Sequence, residues 1–393
     1  MPTQPTIPRD EYPSRWAQVQ RMMHEQALDL VIAYADDRAV FGPAHARWLG
    51  NFPVHFEPVC ILLSRQGEPI MLCGPESVEY ALLAGQIRDV RAASVFTHPD
   101  EDYPYARIYR LEDILAEAAG GLNTVQRIGL AGRGLMGFDV LSRLMKALPQ
   151  AEWIDVEDLI CELRSVKSPA EIEVIRYAYQ IAEAGFEAAV KTIGIGVTER
   201  EVAAEAEAAM RRAGAEGTGI DTIVASGPHS RPILGRSTFR QIQPNEIVLL
   251  TLAPRYEGYH AAIGRPVFVS DPGREIARAL EVAGQAQEAC FQAMRPGVEG
   301  REVEAIGRRI VEAAGLGQYF LYSGVHSVGV IEFEPPILGP SSAARLKQDM
   351  IVSVDIPLFD TPWGGLRVED GFHITAAGAE RLNHTPLLIQ KMA

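Results

Sequence analysis

The sequence predicts a mixed α/β domain followed by an α+β domain made of two related halves, and three observations carry this. Strands and helices alternate over roughly the first 150 residues, the signature of a layered α/β sheet. Ser168-Pro169-Ala170-Glu171 then opens a long helix, with a capping serine, proline at the first helical position and glutamate three residues after the cap. Finally, Gly196-Val197-Thr198-Glu199-Arg200-Glu201-Val202 recurs 101 residues later as Gly297-Val298-Glu299-Gly300-Arg301-Glu302-Val303. Each copy precedes an amphipathic stretch ending in Ala-Gly, so the repeat marks two halves of one domain and not a short-period solenoid.

Taken in order, residues 9–28 carry Trp16, Val19, Met22, Met23 and Leu28 at helical spacing. Leu30–Ala33 reads as a buried strand, and Val59–Leu63 and Pro69–Leu72 as two strands joined by Arg65-Gln66-Gly67. A helix over Leu111–Ala119, a strand over Arg127–Leu130, a helix over Phe138–Ala147 and a strand over Glu152–Ile154 complete the first domain. The boundary falls near residue 160, giving domains of 1–160 and 161–393. In the second domain the long helix runs from Pro169 to about Lys191, and Thr198 with Glu201 forms a capping box for the next. Ile247–Leu252 and Ile263–Val269 are apolar runs either side of Pro254-Arg255-Tyr256-Glu257-Gly258, which reads as a β-hairpin.

With 393 residues, each domain is large enough for its own core. A hydrophobic content of 47% and a charged content of 22% are those of a soluble globular protein. The net charge of −14 argues against nucleic-acid and anionic-membrane partners. No apolar run reaches the roughly 18 residues of a spanning helix, and the N-terminus shows no signal-peptide pattern. Cys60, Cys73, Cys161 and Cys290 form no Cys-x-x-Cys pair. They read as reduced thiols of a cytoplasmic protein and not as a zinc site.

Tyr256-Glu257-Gly258-Tyr259 followed by Arg265 resembles the metal-binding hairpin of the creatinase/prolidase/methionine aminopeptidase family, the pita-bread enzymes. The Lys-Ser-Pro-x-Glu-Ile helix opening resembles the entry to that family's catalytic domain. Three further segments follow in the same order: Gly324-Val325-His326-Ser327-Val328-Gly329, Val352-Ser353-Val354-Asp355-Ile356-Pro357 and Gly364-Gly365-Leu366-Arg367-Val368-Glu369-Asp370. The resemblance covers about residues 160–380 and implies a pita-bread domain with pseudo-twofold halves behind a creatinase-like N-terminal α/β domain. It also implies five metal-ligand positions, which here read Thr251, Ala262, His326, Asp355 and Glu369. An alanine cannot ligate and a threonine hydroxyl is a poor substitute for a carboxylate, so the two-ion clamp of the hairpin is absent.

Two histidines that accompany the family's substrate are also replaced, by Leu234 and Phe333, the latter flanked by Glu332 and Glu334. His229 and His260 are polar newcomers nearby. The expectation is a metal-independent, creatinase-like hydrolase of a C–N bond in a small nonpeptide compound (an amidine, guanidino, cyclic amidine or amide compound), needing no cofactor. His326, Asp355 and Glu369 are the expected catalytic groups; without a metal the two acids raise each other's pKa and suit a cationic substrate. His229, Tyr259, His260, Arg265, Phe333 and Arg367 are the expected substrate contacts. His55 and Glu57 join them from the loop Asn51–Glu57, which in two-domain relatives reaches the partner subunit's cleft of a homodimer. Each has a plain reading beside it: Arg265 and Arg367 neutralise carboxylates, the tyrosines pack, and His229 and His260 serve structure. Two other functions stay open, a peptidase-like hydrolase or lyase with one ion on His326, Asp355 and Glu369, and a noncatalytic binding module.

Overall fold

A computed structural model describes residues 4–38 and 40–391. Ile7–Arg164 form one compact unit; Ser165 onward, with the short segment before Ile7, forms the other.

The first unit has seven strands: β1 Leu30–Ala35, β2 Val59–Ser64, β3 Ile70–Cys73, β4 Asp89–Ala93, β5 Ile108–Tyr109, β6 Arg127–Ala131 and β7 Glu152–Asp155. They form one sheet in the order β5-β4-β3-β2-β1-β6-β7, mixed in direction because β1 pairs antiparallel with β2 and parallel with β6. The helices over Leu111–Ala119 and Phe138–Ala147 occupy the stretches that their periodicity marks. Ala44–Gly50 is a helix the pattern does not announce, since every residue in it is buried, His45 and Arg47 included, and no apolar stripe stands out. Asn51 ends it in the left-handed region, at φ 48°.

The second unit begins with α1 Pro169–Thr192, whose Ser168–Glu171 capping box is formed in full, and α2 Glu199–Arg212, capped in the same way by Thr198 and Glu201. Strands β8 Gly217–Thr218, β9 Ile223–Ser226, β10 Ile247–Leu252, β11 Pro254–Tyr256, β12 Tyr259–His260 and β13 Ile263–Phe268 follow. The second half contributes α3 Gly273–Ala293, α4 Gly300–Ala313, β14 Val325–Ser327, β15 Glu334–Ile337, β16 Ile351–Thr361, β17 Gly364–Thr375 and β18 Gly378–Arg381. The large sheet runs β15-β14-β16-β17-β13-β10-β9, with β18 on β17. Apolar side chains of α3 and α4 (Leu280, Ala283, Val303 and Val311) pack on Val354, Ile356 and Val368 of this sheet.

The repeat seen in the sequence is also a repeat of hydrogen bonds. Gly196 N–H donates to Ile242 O and Gly297 N–H to Leu346 O; Glu199 N–H donates to Arg240 O and Gly300 N–H to Ala344 O. Both leading glycines have positive φ, 84° and 90°. The stretch between β10 and β13 is more than a turn. Glu257 (φ 48°) and Gly258 (φ 81°) close a two-residue hairpin between β11 and β12, and β11 also pairs with β8 to make a separate three-stranded sheet. No helix among the described residues is long and apolar enough to cross a membrane.

Candidate active site

Thr251, Gly264, Glu369 and Asp355 are cross-strand neighbours on the four adjacent strands β10, β13, β17 and β16. Side chains alternate between the faces of a strand, so this row projects Thr251, Glu369 and Asp355 from one face. Ser353 and Arg367, two residues before Asp355 and Glu369, project from the same face. Gly264 keeps the middle of the row open: a Cβ there would lie 2.4 Å from Cδ of Arg367.

On this floor the charged groups are tightly interlocked and almost wholly buried. Arg367 Nη2 lies 3.2 Å from Asp355 Oδ2, and Nη1 lies 3.9 Å from Glu369 Oε2. Nη1 donates to Thr251 Oγ1 at 3.2 Å. The Tyr322 hydroxyl accepts from Arg367 and donates to Asp355. Ser353 donates to Glu369 Oε1 at 2.9 Å, and His326 Nε2 stands 3.8 Å from the same oxygen. The other imidazole nitrogen, Nδ1, is 2.9 Å from the Ser327 carbonyl, which selects the Nδ1–H tautomer and leaves Nε2 as an acceptor. Phe333 covers the imidazole, ring centres 4.3 Å apart. Glu332 turns in from the loop between β14 and β15. One ligand atom each of His326, Glu332 and Glu369 can be chosen so that all three lie within 4.8 Å of one another.

Burial dominates the acid–base behaviour of this cluster. It pushes Asp355 up to about 7, against the pull of Arg367 and with the help of Glu369. It raises Glu332 to about 7 as well, His326 opposing and Glu369 adding. Burial also acts to raise Glu369 and lower His326, but here close partners win. His326, Arg367 and Ser353 hold Glu369 below its ordinary value, and Glu369 with Glu332 holds His326 above its own.

The other expected contacts divide. Phe333 and Arg367 are in the cluster. His260 is buried with Nδ1 3.1 Å from the Gly329 carbonyl, and a Cβ on Gly219 would meet both its ring, at 2.6 Å, and Glu332 Cβ, at 3.1 Å, so it lies beside Glu332. Arg265 is turned away from the cluster: one residue from Gly264, it faces the opposite side of the sheet, where it takes the plain role of neutralising a carboxylate, with Nη2 at 2.5 Å from Asp370 Oδ1 and Nη1 at 2.8 Å from the Glu369 carbonyl. Tyr259 is committed to Glu171 Oε1 at 2.5 Å, tying β12 to α1. His229 is held at the end of β9 by Glu199, 3.3 Å away, and by Thr238. In the N-terminal unit His55 is exposed, whereas Glu57 is buried and accepts from the Ser77 N–H at 2.8 Å. Tyr322, Glu332 and Ser353 are members of the cluster to which the sequence pattern gives no role. The one visible signal was an acid immediately before the position where the family places a second histidine.

The profile of metallopeptidase family M24 matches residues 173–376, and that of the creatinase/prolidase N-terminal domain matches residues 15–166. The chain belongs to metallopeptidase family M24. It is 31% identical to the Xaa-Pro dipeptidases of Pyrococcus furiosus and Pyrococcus horikoshii over 264 residues, which is 67% of this chain and 75% of each relative. Among solved structures, an Xaa-Pro dipeptidase from Bacillus anthracis superposes with a TM-score of 0.81 at 26% identity, covering 96% of this chain and 99% of that one. An X-Pro aminopeptidase from Thermotoga maritima shares the fold, with a TM-score of 0.81 at 23% identity over 95% and 99% of the two chains.

These matches overturn two expectations. A metal-independent hydrolase of nonpeptide compounds gives way to a peptidase reading, because the relatives are Xaa-Pro dipeptidases. The expectation of no cofactor gives way too, because the family is one of metallopeptidases and the structure assembles a ligand set. Thr251 and Ala262 misled by pointing only at the acids lost from the hairpin, while Glu332 supplies one from another loop. The donor set of one imidazole nitrogen and two carboxylates suits a divalent transition ion, so the residues present fit the group the family implies.

Proposed function

We propose that this M24 protein is a metal-assisted hydrolase of peptide bonds of the Xaa-Pro class, with His326, Glu332 and Glu369 as the residues that hold the ion. The observation that carries this is the convergence of those three buried ligand groups, with His326 already oriented by the Ser327 carbonyl. The similarity to Xaa-Pro dipeptidases supplies the substrate class. A divalent ion there would act as a Lewis acid on a carbonyl and lower the pKa of water.

The chain's own residues do the rest. Ser353 fixes the Glu369 carboxylate on its strand, facing His326. Tyr322 and Arg367 hold Asp355 from one side, leaving its Oδ1 buried with no hydrogen-bond partner among the described residues, an acceptor for a donor group of the substrate. Phe333 closes one wall against water beside the imidazole. Arg367 places a permanent positive charge where negative charge develops during attack on a carbonyl. A homodimer and a cytoplasmic location complete the reading. The support is four buried cysteines, and Phe56, 77% exposed beside His55, an apolar side chain for a second copy to cover. Light scattering at micromolar concentration checks the dimer.

The function is tested by preparing apo-protein with a chelator, adding back manganese, cobalt or zinc, and following cleavage of a panel of Xaa-Pro dipeptides against matched dipeptides lacking proline. Cleavage that depends on added ion and on proline supports the reading. Cleavage unaffected by chelation, or none of any Xaa-Pro dipeptide with metal present, defeats it.

A further inference from the structure

We infer that Arg367 is a built-in second cation of the site, so that the cluster takes one divalent ion and the guanidinium occupies the role of another. The inference rests on the metal-assisted reading above and specifies how many ions that reading involves.

The first support is position. The guanidinium lies among all the groups of the floor row at once: Nη1 is 3.2 Å from Thr251 Oγ1 and 3.9 Å from Glu369 Oε2, and Nη2 is 3.2 Å from Asp355 Oδ2. Its path is provided by Gly264, since any Cβ there would collide with Cδ at 2.4 Å. The group is 6% exposed and cannot swing into solvent without breaking these contacts. Tyr322 buttresses it from the far side, and the Phe359 ring lies 5.4 Å from its central carbon.

Charge is the second support. Glu332, Asp355 and Glu369 are three buried carboxylates, and Arg367 is the buried guanidinium whose nitrogens face the carboxylate oxygens of Asp355 and Glu369. When the acids are ionised, the four groups carry two negative charges, which one divalent ion cancels and two ions would overshoot. Uncompensated charge is costly in such an interior, and an arginine cannot relieve it by losing its proton. The neighbouring pairs do not alter the sum. Lys167 is neutralised by Glu334 at 2.9 Å, and Arg265 by Asp370 at 2.5 Å.

The third support is the donor inventory. Past Gly264 the row continues to Thr251 of β10, which offers only a neutral hydroxyl already accepting from Arg367, and Ala262, just before β13, offers nothing. A second ion on that side would find Asp355 as its one new carboxylate, and Asp355 already faces Arg367 and Tyr322. Hard divalent ions need several oxygen ligands, which this side does not supply.

The test titrates apo-protein with Mn²⁺ and counts bound ions by native mass spectrometry and by the electron paramagnetic resonance spectrum. One ion per chain with the spectrum of an isolated Mn²⁺ is expected. Two ions per chain with a spin-coupled spectrum would overturn the inference and leave the metal-assisted reading standing. No bound ion at millimolar Mn²⁺ would overturn both. An Arg367→Gln protein, verified as folded by circular dichroism, adds a second arm: removing the fixed cation should tighten Mn²⁺ binding at least about tenfold, because a like charge is removed at close range. Unchanged or weaker affinity in that variant would count against the guanidinium as a second cation. The wild-type count decides the matter if the variant does not fold.

Discussion

The Ser353 hydroxyl donates to Oε1 of Glu369 at 2.9 Å, across the pairing of β16 with β17. That bond holds the carboxylate on the side of His326 Nε2, 3.8 Å away. Outer groups that orient a metal ligand typically contribute about 10- to 100-fold in affinity. Ser353→Ala should therefore weaken Mn²⁺ binding by about that factor, measured calorimetrically, with the circular dichroism spectrum unchanged. Undiminished affinity would show that the strand alone positions Glu369.

Glu199 offers a pH signature away from the cluster. Its buried carboxylate accepts from Ser226 N–H at 2.8 Å and Oγ at 2.7 Å, and from Thr238 N–H at 3.0 Å and Oγ1 at 2.7 Å. Burial would raise its pKa, but these hydrogen bonds outweigh it and hold the carboxyl below 4.5. A depressed folded-state value means stability that is present above the unfolded value and lost as the pH falls toward the folded one. Lowering the pH below 4.5 should reduce the melting temperature of the wild type more steeply than that of Glu199→Gln. Parallel curves for the two proteins would refute the linkage. At neutral pH the variant should melt lower, since a charged hydrogen-bonding hub has been removed.

The fold and part of the site are legible in the sequence for physical reasons that also mark where legibility ends. The Ser168 and Thr198 caps are local, and the repeated glycine-led helix entries declare two halves before any strand pairing is known. His326, Asp355 and Glu369 stand in short segments with recognisable neighbours. Their juxtaposition, however, depends on the register that lines up Thr251, Gly264, Glu369 and Asp355 across four strands, which no local window contains. The side to which Arg265 turns is set by its one-residue step from Gly264, and the partner of Tyr259, Glu171, is 88 residues away, so neither contact shows in a local window. Glu332 comes from a loop that folds back, so its role exists only in three dimensions.

Lys167 and Glu334 form an ion pair at 2.9 Å with both side chains at or below 1% exposure, and Lys167 Nζ also lies 3.4 Å from Ser327 Oγ. Breaking a buried pair leaves an uncompensated charge and typically costs about 3–5 kcal/mol. Lys167→Met should destabilise the protein by about this amount in urea unfolding. The double variant Lys167→Met, Glu334→Gln should recover much of the loss, because neither charge remains buried alone. A double variant as unstable as the single one would show that packing, not charge, is what Lys167 provides.

Glu332 and Glu334 stand two residues apart and should respond oppositely to the same substitution. Glu334 is neutralised by Lys167, so Glu334→Gln should lower the melting temperature of apo-protein. Glu332 is buried beside Glu369, and burial with that like charge raises its pKa to about 7. Without a metal ion the acid is a liability that Gln relieves, so Glu332→Gln should leave the apo-protein as stable as the wild type or more so. With Mn²⁺ present the order reverses. The wild type gains stability from binding in proportion to the logarithm of ion concentration over dissociation constant, while Glu332→Gln, one ligand short, gains little. The decisive readout is the melting-temperature increment on adding Mn²⁺, large in the wild type and small in Glu332→Gln. An equal increment in both would remove Glu332 from the ligand set and return the search for a third ligand to Asp355.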